Sequence, residues 1–313
     1  DNGVLPIECC FLNDIVRSEE LTQDYAVEKM FDFLVANGAI VNEAVLNTAI
    51  KTNIETGNHY KLIKKIASML SDEQVRSIES KLLSSLLTSD WETANKLIQD
   101  SNSLSDQDIA YIAAFGNTEQ MRTLGELNNI KDAKENSLMS IAATTDNYEM
   151  VSYLLKTLTL SEFEGYRSLM SAVQNNSFDT VKVLIDSHID VSSYRQPKLS
   201  YGVLSFACIN NSEIAKYLLK TELFQDELQE ALILSSRWEK TDMIETLFEC
   251  NADINMDVGG NTPLIEAIFS GAKDSVKVLI ELGASANEES PMGTPLGEAC
   301  YCGEYEIVKI LID

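Results

Sequence analysis

Thr262-Pro263-Leu264-Ile265-Glu266-Ala267-Ile268-Phe269-Ser270-Gly271 decides the architecture, because its opening returns at Thr294-Pro295-Leu296 with Gly303 in the same place. Thr262 is positioned to cap a helix with its hydroxyl. Pro263 falls at the first helical position, where its missing N–H costs nothing and its fixed φ suits the helix. Leu264, Ala267 and Ile268 stand at i, i+3 and i+4 on one face, with the small Ala267 admitting close approach of a neighbouring helix. Gly271 ends that helix. Val276, Leu279 and Ile280 repeat the spacing in a second one, and Gly283 takes the place where a left-handed residue closes it. The segment Ala284 to Asn287 leads out as a turn. Tandem units of about 33 residues that open on Thr-Pro-Leu predict a solenoid in which each unit buries its apolar face against its neighbours.

Gly260-Asn261-Thr262-Pro263-Leu264 through Gly283-Ala284-Ser285-Ala286-Asn287 resembles the ankyrin repeat family, whose unit is two antiparallel helices plus a projecting hairpin. The resemblance implies an all-α fold, an ankyrin-type α-solenoid of stacked helix pairs joined by short hairpins or turns. Weaker copies of the family's post-helix segment stand at Asn251-Ala252-Asp253-Ile254-Asn255, Gly38-Ala39-Ile40-Val41-Asn42 and Ser187-His188-Ile189-Asp190-Val191. The closing position then holds Gly38, His188, Asn251 and Gly283, residues that tolerate positive φ with differing ease.

The first-helix anchor recurs as Leu5, Leu46, Leu83, Ile109, Met139, Leu169, Leu204, Leu228, Leu264 and Leu296. A small residue often follows three positions on: Ala49, Ala142, Ala172, Ala207, Ala231, Ala267 and Ala299. The count is ten units at about 32 residues each, close to the family period. The chain is thus expected to be one continuous array over residues 1–313. Residues 1–44 form a first unit with a loop insertion, 45–134 degenerate helical repeats, 135–255 divergent repeats and 256–313 well-matched ones. Between Val45 and Lys134 the Thr-Pro and Gly landmarks are missing, which leaves open a separate helical subdomain there. Asn13 to Tyr25, Gly57 to Lys65 and Ser192 to Tyr201 read as lengthened loops, the usual place for insertions in a stack. Ser71-Asp72-Glu73-Gln74 and Ser161-Glu162-Phe163-Glu164 read as capping boxes. The last helix is still apolar at Val308, Leu311 and Ile312, whereas a terminal repeat presents a polar outer face. The array is therefore expected to belong to a longer protein.

The formal net charge is -25, with acids scattered along the chain and no basic stripe. Such a field repels nucleic acid and favours a protein partner with a basic surface. Acidity that simply keeps a long solenoid soluble is the equal alternative. Six cysteines, at Cys9, Cys10, Cys208, Cys250, Cys300 and Cys302, show no disulfide-framework spacing and fit a reducing, intracellular, cytoplasmic setting. Cys208 and Cys300 fall at small buried first-helix positions. No metal site, no cofactor and no membrane-spanning run is expected.

Catalysis needs converging groups, and the sequence offers none. His59 and His188 lack a Ser, Cys or Asp motif nearby, and no phosphate-cradling glycine loop, HExxH or GxSxG occurs. Lys61, Lys64 and Lys65 form a small basic face at helical spacing, read as solvated. The expectation is a non-enzymatic protein–protein interaction scaffold that binds on the concave face. The alternative is a targeting or regulatory arm of a larger enzyme, secreted effector or channel. In arrays that look like this, the resemblance implies, residues just past the small anchor face the groove: Phe115, Thr144, Gln174, Asn175, Asn210, Trp238, Phe269 and Tyr301. Tyr194, Tyr201, Met256 and Asp257 fall in connecting tips. The candidate partner-binding residues are Phe115, Tyr194, Tyr201, Trp238, Met256, Asp257, Phe269 and Tyr301, weighted to aromatics because these are favoured hot spots. For Phe115 and Phe269 packing between repeats is an equal reading.

Overall fold

A computed structural model of the chain describes residues 23–56, 59–100, 104–124, 127, 130–132, 136–189, 201–257, 261–287 and 293–312. The described residues form helices joined by turns and short links, with isolated bridge residues at Lys131, Ser137, Asn261 and Gly293 and no longer strand among them; Lys131 pairs antiparallel with Ser137. Leu5, Cys9, Cys10, Tyr194 and most of the expected loops at 13–25 and 192–201 lie outside the described residues. The chain divides into two compact units, Asp1–Tyr194 and Arg195–Asp313.

The first unit opens with α1 (Gln23–Ala36), α2 (Glu43–Thr56), α3 (Tyr60–Ser68) and α4 (Asp72–Arg76). Regular helix pairs follow: α5 (Lys81–Leu87) with α6 (Trp91–Asp100), α7 (Asp106–Phe115) with α8 (Thr118–Arg122), α9 (Leu138–Thr144) with α10 (Tyr148–Thr157), and α11 (Glu162–Gln174) with α12 (Phe178–Asp186). The first helices of the pairs, α5, α7, α9 and α11, stack side by side in one rank. The core is formed where they meet, around Leu83, Ala110, Ala113, Met139, Ala142, Leu169 and Ala172, all 0% exposed. Capping boxes hold the starts of α4 and α11 at Ser71–Gln74 and Ser161–Glu164 as expected, and two more stand at Ser105–Asp108 and Asn117–Gln120.

The second unit repeats the plan with α13 (Val203–Asn210) and α14 (Ser212–Lys220), α15 (Leu228–Arg237) and α16 (Thr241–Glu249), α17 (Pro263–Phe269) and α18 (Lys273–Glu281), and α19 (Pro295–Cys302) and α20 (Tyr305–Ile312). Thr262 Oγ1 accepts from the Ile265 amide at 3.2 Å and Thr294 Oγ1 from the Gly297 amide at 3.1 Å, with Pro263 and Pro295 at the first helical positions.

Left-handed residues give the units their register. One set lies between the two helices of a pair: Ser89, Asp146, Asn176, Glu239, Gly271 and Gly303. The other closes second helices: Gly38 (φ 87), His188 (φ 54), Asn251 (φ 68) and Gly283 (φ 96), as expected, joined by Glu222 (φ 55). Counting back seven positions from the first set reaches Met139, Leu169, Leu264 and Leu296, the expected anchors. The same count places the anchor at Leu82 rather than Leu83, and at Leu232 rather than Leu228, one helical turn later. Leu232 and the small Ser235 beside it are both 0% exposed. In α7 Ile109 is half-buried while Ala110 is fully buried, because this pair closes one residue early at an extended Gly116 (φ -83, ψ -177).

Side chains in these turns tie neighbouring pairs together. Asp146 Oδ1 accepts from the Thr180 amide (3.2 Å) and Oγ1 (2.8 Å) at the start of α12. Glu239 Oε1 accepts from the Asp274 amide (2.9 Å) at the start of α18. Glu227 Oε2 accepts from the Leu204 amide at 2.8 Å, so α13, whose N-cap is Gly202, is capped by the following pair. Gly202 leaves room there for the Glu227 carboxylate, which a Cβ would displace.

Candidate functional site

Five residues past each anchor the first helix turns outward, and six past it the helix reaches its last carbonyls. In the first unit the fifth positions are Leu87, Phe115, Thr144 and Gln174, taking Ala110 as the anchor of α7; in the second they are Ile209, Arg237, Phe269 and Tyr301. The sixth positions include Thr145 and Asn175 in the first unit, and Asn210, Trp238, Ser270 and Cys302 in the second. This row is the natural candidate for partner contact, and the two units treat it differently.

In the first unit α3 packs on it. The stretch Gly57 to Lys65, expected as a loop, supplies most of a nine-residue helix with Tyr60, Leu62, Ile63, Ile66 and Ala67 buried. Leu62, Ile63 and Ile66 at i, i+1 and i+4 make one apolar face. The Tyr60 ring stands 6.1 Å from Tyr111 and 6.3 Å from Phe115, and those two rings stack at 6.2 Å. The Tyr60 hydroxyl donates to Asp132 Oδ2 at 3.0 Å and accepts from Gln107 Nε2 at 3.2 Å. Burial, with the Asp132 carboxylate adding to it, pushes the Tyr60 phenol far above its ordinary pKa. Burial pushes Tyr111 up to about 12. Asp132 also accepts from the Asn136 amide (2.9 Å) and Nδ2 (2.9 Å), which fastens the tip before α9 to α3.

The lysines of α3 are engaged, not solvated. Lys61 Nζ donates to the Asn175 carbonyl at 2.8 Å and Lys64 Nζ to the Thr145 carbonyl at 3.3 Å, so each ammonium closes the C-terminal end of a different first helix. Lys61 and Lys65 also pair with Glu28 of α1 (3.2 and 3.3 Å), and Lys65 with Asp32 (2.6 Å). Burial works against the charge on Lys65, but the hydrogen bond it donates to Asp32 and the field of Glu28 outweigh it and raise its pKa. Beside α3 a groove of about 700 Å³ runs between Ile50 and Ile54 of α2, Leu83 of α5 and Tyr111 of α7.

In the second unit the row is exposed at its last two described helices, while Ile209 and Arg237 are half-buried. Phe269 is 42% exposed and Tyr301 87%. Arg237 Nε contacts Glu266 Oε1 at 2.6 Å, joining α15 to α17 through a carboxylate that is itself buried. Trp238 is half-buried, and its Nε1 is buried without a hydrogen-bond partner. Of the expected contact residues, Phe269 and Tyr301 stand on successive first helices, α17 and α19, and Trp238 caps the one before, α15. Met256 (46% exposed) and Asp257 lie exposed in the connection between α16 and α17, and Tyr201 is half-buried ahead of α13. Phe115 is turned inward at 8% exposure, where it packs on Tyr60 and Tyr111. Tyr194 lies outside the described residues.

Sequence reasoning passed over α3 and the Arg237–Glu266 pair. The apolar spacing of Leu62, Ile63 and Ile66 was the available signal for α3; nothing local marks the pair, whose partners are 29 residues apart. Cys208 is buried, which raises its thiol to about 12, whereas Cys300, expected at a buried position, is exposed. His59 is buried and its amide donates to Asn53 Oδ1 at 2.7 Å. Among the described residues no group of three or more His, Cys, Asp or Glu is placed to hold a metal ion, and no helix is long and apolar enough to cross a membrane.

Comparison with known proteins bears on the same residues. The family model described as ankyrin repeats matches in three copies over residues 92–195 and 255–313, just over half of the chain. An ankyrin repeat domain from Acinetobacter baumannii AYE is similar in structure, with 25% identity over 56% of this chain and 95% of that one, at a TM-score of 0.48. The ankyrin repeat protein EF0377 is 30% identical over 56% of this chain and 96% of that one, also at 0.48. No curated protein matches the chain.

Proposed function

The chain belongs to the ankyrin repeat family, and from that premise we propose that it is a non-enzymatic interaction protein whose second unit binds a partner protein through Trp238, Phe269 and Tyr301. Ankyrin repeats generally mediate protein–protein interaction. The observation that supports this surface is the exposure of Phe269 and Tyr301 at a register where the first unit buries Phe115. Large aromatics held on stacked helices make contact at low entropic cost and concentrate binding energy in a few positions.

The test is affinity capture followed by mass spectrometry, run in parallel with the unaltered chain and with a Phe269→Ala, Tyr301→Ala double variant of matched melting temperature. Partners held by the first and lost from the second are the expected result. Equal retention by both chains overturns the assignment of the surface.

A further inference from the structure

The first unit displays how a helix seats on the first-helix row. Lys61 and Lys64, three residues apart, reach the Asn175 and Thr145 carbonyls on the neighbouring helices α11 and α9. The end of a helix carries unsatisfied carbonyls and partial negative charge, so two ammonium groups one turn apart bridge two adjacent repeats. The aromatic at the head of α3 meets rings on α7. Every one of these features depends on backbone register and not on the identity of Thr145 or Asn175.

The same register in the second unit presents the carbonyls of Trp238 and Ser270, on α15 and α17. Among the described residues no backbone amide donates to either. Phe269 and Tyr301 supply exposed rings beside them. Carboxylates stand close by: Glu239 follows Trp238 in sequence, and the Glu304 carboxylate lies against Gly271, 3.2 Å from where its Cβ would be. Residues 195–313 carry nine Lys and Arg against twenty Asp and Glu, so a cationic ligand is drawn to this unit.

Resting on the reading of this row as the partner surface, we propose that its occupant is a basic amphipathic helix of a partner protein. That helix carries two lysines three residues apart with an apolar, aromatic-headed face. Its lysines dock as those of α3 do, the first on the Ser270 carbonyl and the second on that of Trp238, while its rings meet α17 and α19 in place of the preceding first helix that Tyr60 meets. The lysines set position and direction, and the apolar face against Trp238, Phe269 and Tyr301 supplies most of the affinity.

The probe is a synthetic, end-blocked peptide with the sequence of Tyr60–Ser68 inside alanine-rich helical flanks, titrated against the full 1–313 chain by fluorescence anisotropy. Saturable binding is expected. It weakens about tenfold or more when both peptide lysines equivalent to Lys61 and Lys64 become Gln, and again when the chain carries Phe269→Ala and Tyr301→Ala. It also falls between about 50 and 500 mM salt. Absence of binding, or binding indifferent to the lysines or to Phe269 and Tyr301, overturns the proposal. If the peptide fails while a captured partner still depends on Phe269 and Tyr301, the surface stands and the helix is rejected. If neither depends on those residues, the surface is rejected as well.

Discussion

Phe115 and Phe269 occupy the same register of a first helix, yet one is 8% exposed and the other 42%. The difference comes from α3, a nine-residue helix in the first unit that lies over the row with no described counterpart in the second. The comparison teaches that the same row can be covered by one helix of the chain or left exposed. It offers helix-end carbonyls and outward-turned side chains at every repeat. In the first unit the chain satisfies that surface itself; in the second it leaves Phe269 and Tyr301 in solvent. Residue type alone does not tell a binding residue from a packing one here, because both are phenylalanines at the end of a helix.

The sharpest way to break the comparison is to remove the head of α3. Tyr60→Ala empties a site that is 1% exposed, and large-to-small changes of this kind cost about 3–5 kcal/mol. Urea unfolding followed by hydrogen exchange should show the loss confined to residues 23–189. Tyr60→Phe keeps the packing but removes a donor from the buried Asp132, for a smaller loss of about 1–2 kcal/mol. Unchanged exchange in the first unit with Tyr60→Ala would mean that α3 is not holding the row.

The second unit answers to a different group. Arg237→Ala leaves the Glu266 carboxylate buried without the 2.6 Å contact, and should lower the stability of residues 201–312 by about 2 kcal/mol. Adding Glu266→Gln should recover part of that, because the uncompensated charge is gone.

A gain is expected where a turn holds an ordinary residue in left-handed backbone. Ser89 has φ 56 and an exposed side chain, so Ser89→Gly should raise stability by about 0.5–1 kcal/mol in thermal melts. Asp146→Gly should not, since the Asp146 carboxylate holds Thr180 at the start of α12.

The smallest effect is alkaline. The pKa of Lys65 is raised in the fold, so the stability contributed by its contacts with Asp32 and Glu28 is complete below its unfolded value of about 10.4 and is lost as pH rises through the higher folded one. Lys65→Gln should flatten that limb of the stability profile by removing, at neutral pH, the small contribution that the native chain loses only at alkaline pH.

How much of this could be read from the residues varies along the chain for physical reasons. α17 and α19 were legible because Thr262-Pro263 and Thr294-Pro295 start them, and Gly271 and Gly303 end them in left-handed backbone. Further back the same turns are made by Ser89, Asp146, Asn176 and Glu239, and a left-handed Ser or Glu leaves no mark in a sequence. That is why the anchor of α15 was placed a turn early at Leu228, where an apolar residue with Ala231 three on imitates the pattern of Leu232 and Ser235. The lysines of α3 were read as solvated because their acceptors are backbone carbonyls 81 and 114 residues away, and no side chain announces them. Register treats Phe115 and Phe269 alike, with packing and partner contact equal readings for both; that one is covered and the other exposed follows from α3, which register does not show.

Hydroxyl-radical footprinting of the full chain, read residue by residue by mass spectrometry, tests the central claim most directly. Protection of Tyr60, Tyr111 and Phe115 together with strong modification of Phe269 and Tyr301 is the predicted result. Comparable labelling of Phe115 and Phe269 would contradict the account, because the row would then be equally open, or equally covered, in both units.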